Sequence, residues 1–150
     1  MSIQDNKQVV ADFFRAINEL RLEDLPKYMA ADVVDHNKII YGEPDEPGAA
    51  FEGFRQQLAA FGQGIEEGAG TYGMFPEEFT AEDDRVSVRV TIRGIHTGYH
   101  PRMPVPTGRS CEVESVWTLT VTDGKISEIR GVTDRLGMFL QLGWDWPTLD

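Results

Sequence analysis

One acidic side chain near the end of the chain stands where it could transfer protons. Asp134 follows a strand-like run that ends in Val132 and Thr133, and it precedes a short apolar helix that ends at Gly143. A carboxylate at such a junction can act as a general acid or base. Asp and Thr are also favoured helix caps, because their side chains accept hydrogen bonds from the first free N–H groups. The residues alone favour the capping interpretation over catalysis.

The three histidines are the other candidates for acid and base chemistry. His96 and His100 have the spacing of a metal-binding pair, but that spacing puts two histidines on one face only in a helix. The glycine and proline around them disfavour a helix, so no metal site is predicted. His96 continues the inward phase of the preceding strand, which predicts a hydrogen-bonded histidine inside the domain. His36 follows a short extended run and fits a cavity or a surface position equally well.

Nucleophilic and phosphate-binding chemistry have no support in the sequence. The chain has no Gly-x-Ser-x-Gly motif, and its lone cysteine, Cys111, lies in a strand-like run where a small core residue is expected. The glycine-rich segment 63–73 lacks the Lys-Ser/Thr ending of a phosphate loop. We expect that segment to be either a mobile connection or a lid over a pocket.

The elements that would hold these side chains follow from the spacing of apolar residues. Apolar side chains three and four positions apart predict helices, and strict alternation predicts half-buried strands. The Asp-Gly pair at 123–124 marks a hairpin turn. The predicted elements are a helix from Ser2 to about Leu20, a short helix over 22–29, an extended run over 32–36, a loop over 42–48, a helix over 49–61, strands over 86–92, 111–121 and 126–132, a last helix up to Gly143, and an apolar tail over 143–147 that packs on the domain or on a partner subunit.

Helices followed by a series of antiparallel strands are typical of an α+β domain with the helices on one face of the sheet. The length of 150 residues fits one domain, 1–150, and the 41% of hydrophobic residues supply a core. A net charge of −11 disfavours binding to nucleic acid or to anionic membranes. We find no signal-peptide pattern and no apolar run long enough to span a membrane, so a cytoplasmic protein is expected.

Five stretches of the sequence together resemble the SnoaL-like polyketide cyclase family. They are His36 after Val-Val-Asp, Ile92–Gly98, Met103–Arg109, Asp123–Glu128 and Asp134–Gly143. Their order and spacing extend over nearly the whole chain. Together they are specific for the family, and much less specific for any one reaction within it.

The resemblance implies the cone-shaped α+β fold of the nuclear-transport-factor-2-like superfamily. In that fold a curved antiparallel β-sheet and N-terminal helices enclose a pocket, and dimers or higher oligomers are usual. In the cyclases, an aspartate at the position that matches Asp134 acts as general acid/base for an intramolecular aldol ring closure, with no metal or cofactor. His36 matches a position that often holds a histidine in the family.

The sequence departs from the cyclase pattern on the strand before the Asp-Gly turn. The cyclases carry polar Gln and His side chains there, and Thr118 and Thr120 stand at the corresponding positions. The resemblance would turn both threonines toward the pocket and Trp117 toward the other face, where an apolar surface would suit a dimer. Plain alternation cannot decide the facing, since bulges in a curved sheet shift the phase. Arg89 is a weaker candidate for a donor in the pocket.

We therefore predict a deep, largely apolar pocket with Asp134 in its wall. The predicted chemistry is removal of a proton beside a carbonyl of a small, largely apolar compound, followed by carbon–carbon bond formation. The predicted catalytic residues are Asp134 and His36, and the predicted pocket residues are Thr118, Thr120, His96 and Arg89. No cofactor and no metal are predicted, and the expected partners are the small molecule and a second copy of the chain.

Two other functions fit the same scaffold. Opening of an epoxide by water would need a second carboxylate near Asp134, for which Glu112, Glu114 and Glu128 are available. A domain that binds a small apolar molecule without catalysis would use Asp134 only as a helix cap. Its carboxylate would then turn to the backbone N–H groups of its own helix.

Overall fold

The computed structural model describes residues 2–36, 50–61 and 73–145. Within these ranges the chain forms three α-helices, one 3-10 helix and five strands. In chain order these are α1 (Ile3–Asn18), the 3-10 helix Leu22–Lys27, β1 (Met29–Asp35), α2 (Ala50–Phe61), β2 (Gly73–Glu82), β3 (Arg85–Ile95), β4 (Ser110–Thr122), β5 (Lys125–Thr133) and α3 (Arg135–Gln141). The predicted loop over 42–48 lies outside the described residues, as does the predicted glycine-rich segment up to residue 72.

The five strands form one curved, open sheet in the order β1-β5-β4-β3-β2. Strands β2 to β5 pair as antiparallel neighbours. β1 instead pairs with β5 in parallel, so the sheet is mixed rather than wholly antiparallel. The register shifts between Pro76 and Glu78 and between Thr120 and Val121, and such irregularities bend a sheet. The predicted α+β architecture, with helices against a curved sheet, is confirmed.

A capping box starts α1. Ser2 Oγ accepts from the backbone N–H of Asp5 at 3.0 Å, and Asp5 Oδ2 accepts from the backbone N–H of Ser2 at 3.1 Å. These bonds satisfy N–H groups that have no partner within the helix. The inner side of α1 packs against the sheet, and its buried apolar residues are Val10, Phe13, Phe14, Ala16 and Ile17.

Aromatic rings join α1 and α2 to the middle of the sheet. Trp117 on β4 stacks on Phe54 of α2 with ring centroids 6.2 Å apart, and Phe14 of α1 meets the same indole edge-on at 5.5 Å. Phe13 of α1 meets Phe54 at 5.5 Å. Such pairs stabilise the core beyond the area that each ring buries. The aromatic stripe of α2 is thus core packing, with Phe54 and Phe61 both buried.

Alternation on β3 and β4 gives the sheet an inner face, against the helices, and an outer face. The buried residues of the inner face are Val86, Val88, Val90, Ile92, Cys111, Val113, Ser115, Trp117, Leu119 and Val121. The outer face carries Ser87, Arg89, Thr91, Arg93, Glu112, Glu114, Val116, Thr118 and Thr120. Cys111 is a core residue as predicted, and burial raises the pKa of its thiol.

The C-terminal helix and the residues after it close one end of the domain. Asp134 is the N-cap of α3, and Gly143 follows the helix with φ of +95°, a left-handed conformation that favours glycine. Trp144 packs its ring against Phe139 at 6.1 Å, so the described part of the apolar tail packs on the domain. None of the described helices is long and apolar enough to cross a membrane.

Candidate active site

Asp134 is exposed and acts as a helix cap. Its Oδ1 accepts from the backbone N–H of Gly137 at 2.8 Å, and its own N–H donates to the carbonyl of Glu114 at 3.2 Å. A Cβ atom at position 137 would lie 2.3 Å from Asp134 Oδ2, so the carboxylate lies directly over the Gly137 backbone. The deep apolar surroundings predicted for Asp134 are wrong, because the residue is exposed at the start of α3. Its catalytic role stays a prediction.

The surroundings of Asp134 form an open polar depression beside the outer face. It has a volume of about 510 Å³ and is lined by Thr91, Arg93, Glu112, Val113, Glu114 and Asp134. Carboxylates therefore do lie near Asp134, as epoxide opening would require. Arg93 and Glu112 form a salt bridge with both side chains more than half exposed. Water that reaches such a site weakens every electrostatic interaction in it.

His36 is half-buried at the edge of the sheet and is held by a carboxylate of β5. Its Nε2 lies 2.8 Å from Glu128 Oε1, and the same oxygen binds Arg130 at 3.1 Å. The backbone N–H of His36 donates to the carbonyl of Ile129 at 2.9 Å and continues the parallel β1–β5 ladder. A catalytic role for His36 also stays a prediction.

Thr118, Thr120 and Arg89 lie on the outer face of the sheet, away from the helices. The Thr118 hydroxyl is 3.1 Å from the Ser87 hydroxyl of β3. Arg89 forms surface salt bridges with glutamates of β2 and β4. The facing that the resemblance implied is therefore wrong for β4, where Trp117 faces the core. These three side chains point away from the core because the side chains of β3 and β4 alternate between the two faces without interruption.

His96 is the predicted site residue that lies inside the domain, as alternation predicted. Its side chain is fully buried. The backbone N–H and the hydroxyl of Thr107 both lie 3.3 Å from its Nδ1. Nδ1 therefore accepts, and the proton of the neutral imidazole is on Nε2. Nε2 is buried and has no hydrogen-bond partner in the part of the chain that the structure describes.

The ring of Phe61 packs against both buried histidines, His96 and His100. The Phe61 ring lies 5.9 Å from His96 and 5.6 Å from His100, and Phe139 of α3 meets His100 at 5.3 Å. Burial lowers the pKa of His100 to about 4, and nearby positive charges contribute. His100 Nδ1 accepts from the backbone N–H of Arg102 at 3.0 Å. Within the described ranges, no three His, Cys, Asp or Glu side chains converge as metal ligands.

Backbone hydrogen bonds fix the position of His96. The carbonyl of Ala60, near the end of α2, accepts from the N–H groups of Thr97 and Gly98 at 3.0 and 2.9 Å. The N–H of His96 donates to the carbonyl of Arg109 at 2.9 Å. The imidazole is therefore held between the end of α2 and the start of β4, with little freedom to turn away from the interior.

Two further polar groups of the inner face were missed by sequence reasoning. Asp35 is 8% exposed and is the one carboxylate among the described residues that is buried. Ser115 Oγ accepts from Trp117 Nε1 at 2.6 Å and lies 2.7 Å from Thr133 Oγ1. Both groups share the phase of buried neighbours, Asp35 with Val33 and Ser115 with Trp117. Plain alternation was therefore the signal that could have found them.

Helices packed against a curved mixed sheet, with a few buried polar groups on its inner face, define an α+β domain that can enclose a site between its layers. The chain belongs to the SnoaL-like polyketide cyclase family, whose model matches residues 8–142. That range begins within α1 and ends just after α3, so it includes every strand of the sheet and all the site residues described above.

Two curated proteins are similar to parts of the chain. The aklanonic acid methyl ester cyclase DnrD of Streptomyces peucetius is 35% identical over 71 residues, which are 47% of this chain and 48% of the relative. The aklanonic acid methyl ester cyclase DauD of Streptomyces sp. strain C5 is 38% identical over 63 residues, which are 42% of this chain and 38% of the relative. The match thus spans half the length of these relatives or less.

Solved structures share the fold over almost the whole chain. TsrD from Streptomyces laurentii has a TM-score of 0.78 at 18% identity and covers 95% of this chain and 98% of its own. IdmH from Streptomyces antibioticus, described as a candidate polyketide cyclase, has a TM-score of 0.73 at 25% identity, with 93% and 99% covered. At 18% identity the likeness to TsrD concerns the fold alone.

Proposed function

We propose that the chain is a cofactor-free cyclase-type enzyme that acts on a small, largely apolar carbonyl compound. The observation that carries this proposal is His96, which is fully buried inside the domain against the ring of Phe61. Its Nε2 has no hydrogen-bond partner among the described residues, and burying such a group is costly unless a ligand satisfies it. The proposal agrees with the similarity to DnrD and DauD, which are named as cyclases of aklanonic acid methyl ester.

The proposed reaction is an intramolecular aldol addition, which needs only a base and hydrogen-bond donors. A carboxylate takes the proton from a carbon beside a carbonyl, and the resulting enolate carbon attacks a second carbonyl carbon of the same molecule. The electron pair of that carbonyl moves to its oxygen, which then takes the proton back from the carboxyl group. Substrate and product are isomers, and the carboxylate is regenerated without any cofactor. Donors aimed at the enolate oxygen lower the barrier.

Two aspartates compete for the role of the base. Asp134 matches the position that the family resemblance implies, but it is exposed and holds the start of α3. Asp35 belongs to the inner face and is 8% exposed. The register of β5, β4 and β3 places Asp35 at the end of the sheet where β3 begins, whereas His96 follows the end of β3, about 30 Å away. A small substrate bound at His96 lies out of reach of Asp35. We therefore assign the base to Asp134 and keep Asp35 as the competing candidate.

Matched asparagine variants decide between the two aspartates. Asn caps helices about as well as Asp, so Asp134→Asn removes the charge and keeps α3. With aklanonic acid methyl ester as the probe substrate, ring closure is followed by chromatography and proton removal by deuterium uptake from D2O. We expect Asp134→Asn to lower kcat by about 100-fold or more, since general base catalysis contributes about 10²–10⁴-fold. Asp35→Asn and Asp32→Asn, the latter an exposed control on β1, should keep nearly full activity.

Each other outcome of this experiment has a definite meaning. Loss of activity in Asp35→Asn, with Asp134→Asn active, would assign the base to Asp35. The capping geometry of Asp134 favours one alternative function, a domain that binds a small molecule without catalysis. Binding of the probe by the unaltered protein, without ring closure or deuterium uptake, would support that alternative and contradict the enzyme.

We also propose a homodimer through the apolar part of the outer face. Val116 and Val132 are cross-strand partners on β4 and β5 and are 51% and 78% exposed. Leu136 and Leu140 of α3 are also exposed, and clustered apolar side chains at a surface mark contact sites. Val132→Asp should shift the protein toward monomer in sedimentation velocity, whereas Val105→Asp, at an exposed loop position, should not. A monomeric unaltered protein would contradict the proposal.

A further inference from the structure

We infer that the Nε2–H group of His96 is the donor that binds the carbonyl oxygen of the ligand, and that the ligand is a conjugated or aromatic ketone. The identity of the ligand as a carbonyl compound rests on the proposed function. The assignment of the donor rests on the geometry of His96 itself.

The protonation state of His96 follows from the two groups that meet its Nδ1. The backbone N–H of Thr107 can only donate, so Nδ1 must be the unprotonated nitrogen. The Thr107 hydroxyl oxygen accepts from the N–H of Arg109 at 3.4 Å, which leaves the hydroxyl proton free to point at Nδ1. The imidazole is therefore neutral, and its hydrogen is on Nε2.

The Nε2–H group is a buried donor without an acceptor. The His96 side chain is fully buried, and Nε2 has no partner among the described residues. Buried polar atoms are nearly always hydrogen-bonded in native proteins, so an exception calls for an explanation. An oxygen atom of a bound ligand would satisfy this donor, whereas a purely apolar ligand would leave it unsatisfied.

The surroundings of His96 indicate the shape of the rest of the ligand. Phe61 lies 5.9 Å from the imidazole, and aromatic rings prefer flat conjugated neighbours in offset or edge-on contact. The bonds from Thr97 and Gly98 to the Ala60 carbonyl hold the imidazole in place before the ligand binds. A fixed donor stabilises an enolate oxygen more than a neutral carbonyl oxygen, because hydrogen bonds to charged acceptors are stronger. His96 would thus assist proton removal as well as bind.

The other two histidines provide internal references for this assignment. His36 Nε2 already pairs with Glu128 at 2.8 Å. His100 Nδ1 accepts a backbone N–H, as His96 Nδ1 does, and its ring packs between Phe61 and Phe139. Only His96 among the three has a ring nitrogen that is both buried and without a partner in the described structure.

The first test compares two probes that differ in one oxygen atom. 2-Acetylnaphthalene is a fused aromatic ketone, and 2-isopropenylnaphthalene has the same shape with a carbon in place of the oxygen. In the ¹⁵N-labelled protein we expect the ketone to shift the Nε2 and Hε2 resonances of His96 and to leave those of His36 unchanged. The ketone should also bind about tenfold more tightly than the hydrocarbon, a difference typical of one hydrogen bond.

The second test uses variants that keep one nitrogen function and remove the other. Asn at position 96 keeps an acceptor for Thr107 but has no group at Nε2, so His96→Asn should abolish the preference for the ketone. His96→Gln carries an amide N–H near the Nε2 position and should restore part of that preference. His100→Asn, a matched change at the other buried histidine, should keep it within about twofold.

The inference and the proposed function fail in different ways. Equal binding of the two probes to the unaltered protein, with no shift of His96 Nε2, would overturn the inference even if ring closure is observed. That readout does not require any variant to fold. Absence of ring closure and of deuterium uptake, with the Nε2 shift present, would contradict the enzyme and support the donor.

Discussion

On the inner face of β4, Ser115 accepts a hydrogen bond of 2.6 Å from Trp117, and both residues are buried. On the outer face of the same strand, Glu112 and Glu114 bind arginines of β3 with all side chains exposed by more than two fifths. The outer face carries far more charge, yet each of its pairs is in contact with water. The inner face has few polar groups, and these are buried among packed apolar side chains.

The difference between the faces shows which polar groups bear on function. Exposed salt bridges contribute about 0–1 kcal/mol, since water and salt screen them. A buried polar group costs stability unless something satisfies it, so its presence has to be explained one residue at a time. Matched positions on the two faces should therefore respond differently to substitution.

The largest contrast is expected between neighbours on β4. Trp117 is 3% exposed and stacks on Phe54, so Trp117→Ala should lower the free energy of unfolding by about 3–5 kcal/mol. Val116 is 51% exposed, and Val116→Ala should change the free energy of unfolding of the monomer by less than about 1 kcal/mol. Urea unfolding at a concentration that keeps the protein monomeric measures both values. Similar losses in the two variants would contradict the assignment of the faces.

Acid should weaken the fold through His100. Its pKa is lowered to about 4 in the folded protein, mainly by burial, against about 6.5 in the unfolded chain. Between these values the unfolded chain binds the proton and the folded chain does not, so stability falls as the pH is lowered from about 6.5 to 4. The loss approaches about 3 kcal/mol. Denaturant titrations across this range should show a weaker pH dependence in His100→Asn, and identical curves would contradict the prediction.

A matched pair of serines gives the next contrast. Ser115→Ala removes the acceptor of the buried Trp117 N–H and should lower the free energy of unfolding by about 1–3 kcal/mol. Ser87 meets Thr118 at 3.1 Å on the outer face, where water can replace the lost hydroxyl, so Ser87→Ala should have almost no effect. Thermal unfolding monitored by circular dichroism measures the stability of both variants. A larger loss of stability in Ser87→Ala than in Ser115→Ala would contradict the prediction.

The smallest effect is expected at the helix cap. Asp134→Ala removes the acceptor for the Gly137 N–H and should cost about 1 kcal/mol, within the usual 0.5–2 kcal/mol for a cap. Asp134→Asn retains an acceptor and should cost little. Chemical denaturation distinguishes the two variants, and equal losses would show that the charge of Asp134 matters more than its hydrogen bond.

Local patterns predicted much of the fold from the sequence. The alternation over 86–92 and 111–121 gave the facing of β3 and β4, and continuing it predicted a buried His96. The capping interpretation of Asp134 is confirmed by the bond to Gly137. These features depend on residues close together in the chain, where the rules of hydrogen bonding and side-chain direction act directly.

Long-range features could not be predicted in the same way. The facing of Thr118 and Thr120 was inferred from resemblance rather than from alternation, and it was wrong. The parallel pairing of β1 with β5 has no local signature, since it joins positions 35 and 129 of the chain. The lack of a hydrogen-bond partner for His96 Nε2 among the described residues could not be predicted either, because it depends on every atom around that nitrogen.

The parallel pairing of β1 with β5 also affects the order in which the protein folds. β2 to β5 follow one another as antiparallel neighbours, whereas the β1 ladder joins positions 35 and 129 of the chain. Closing a long loop costs more entropy than closing short ones, so contacts between distant positions form late. We therefore expect β1 to dock on a sheet that already exists. The interior around Asp35 would then be completed in the last step, and newly made chains would acquire that part of the candidate site after the rest of the fold.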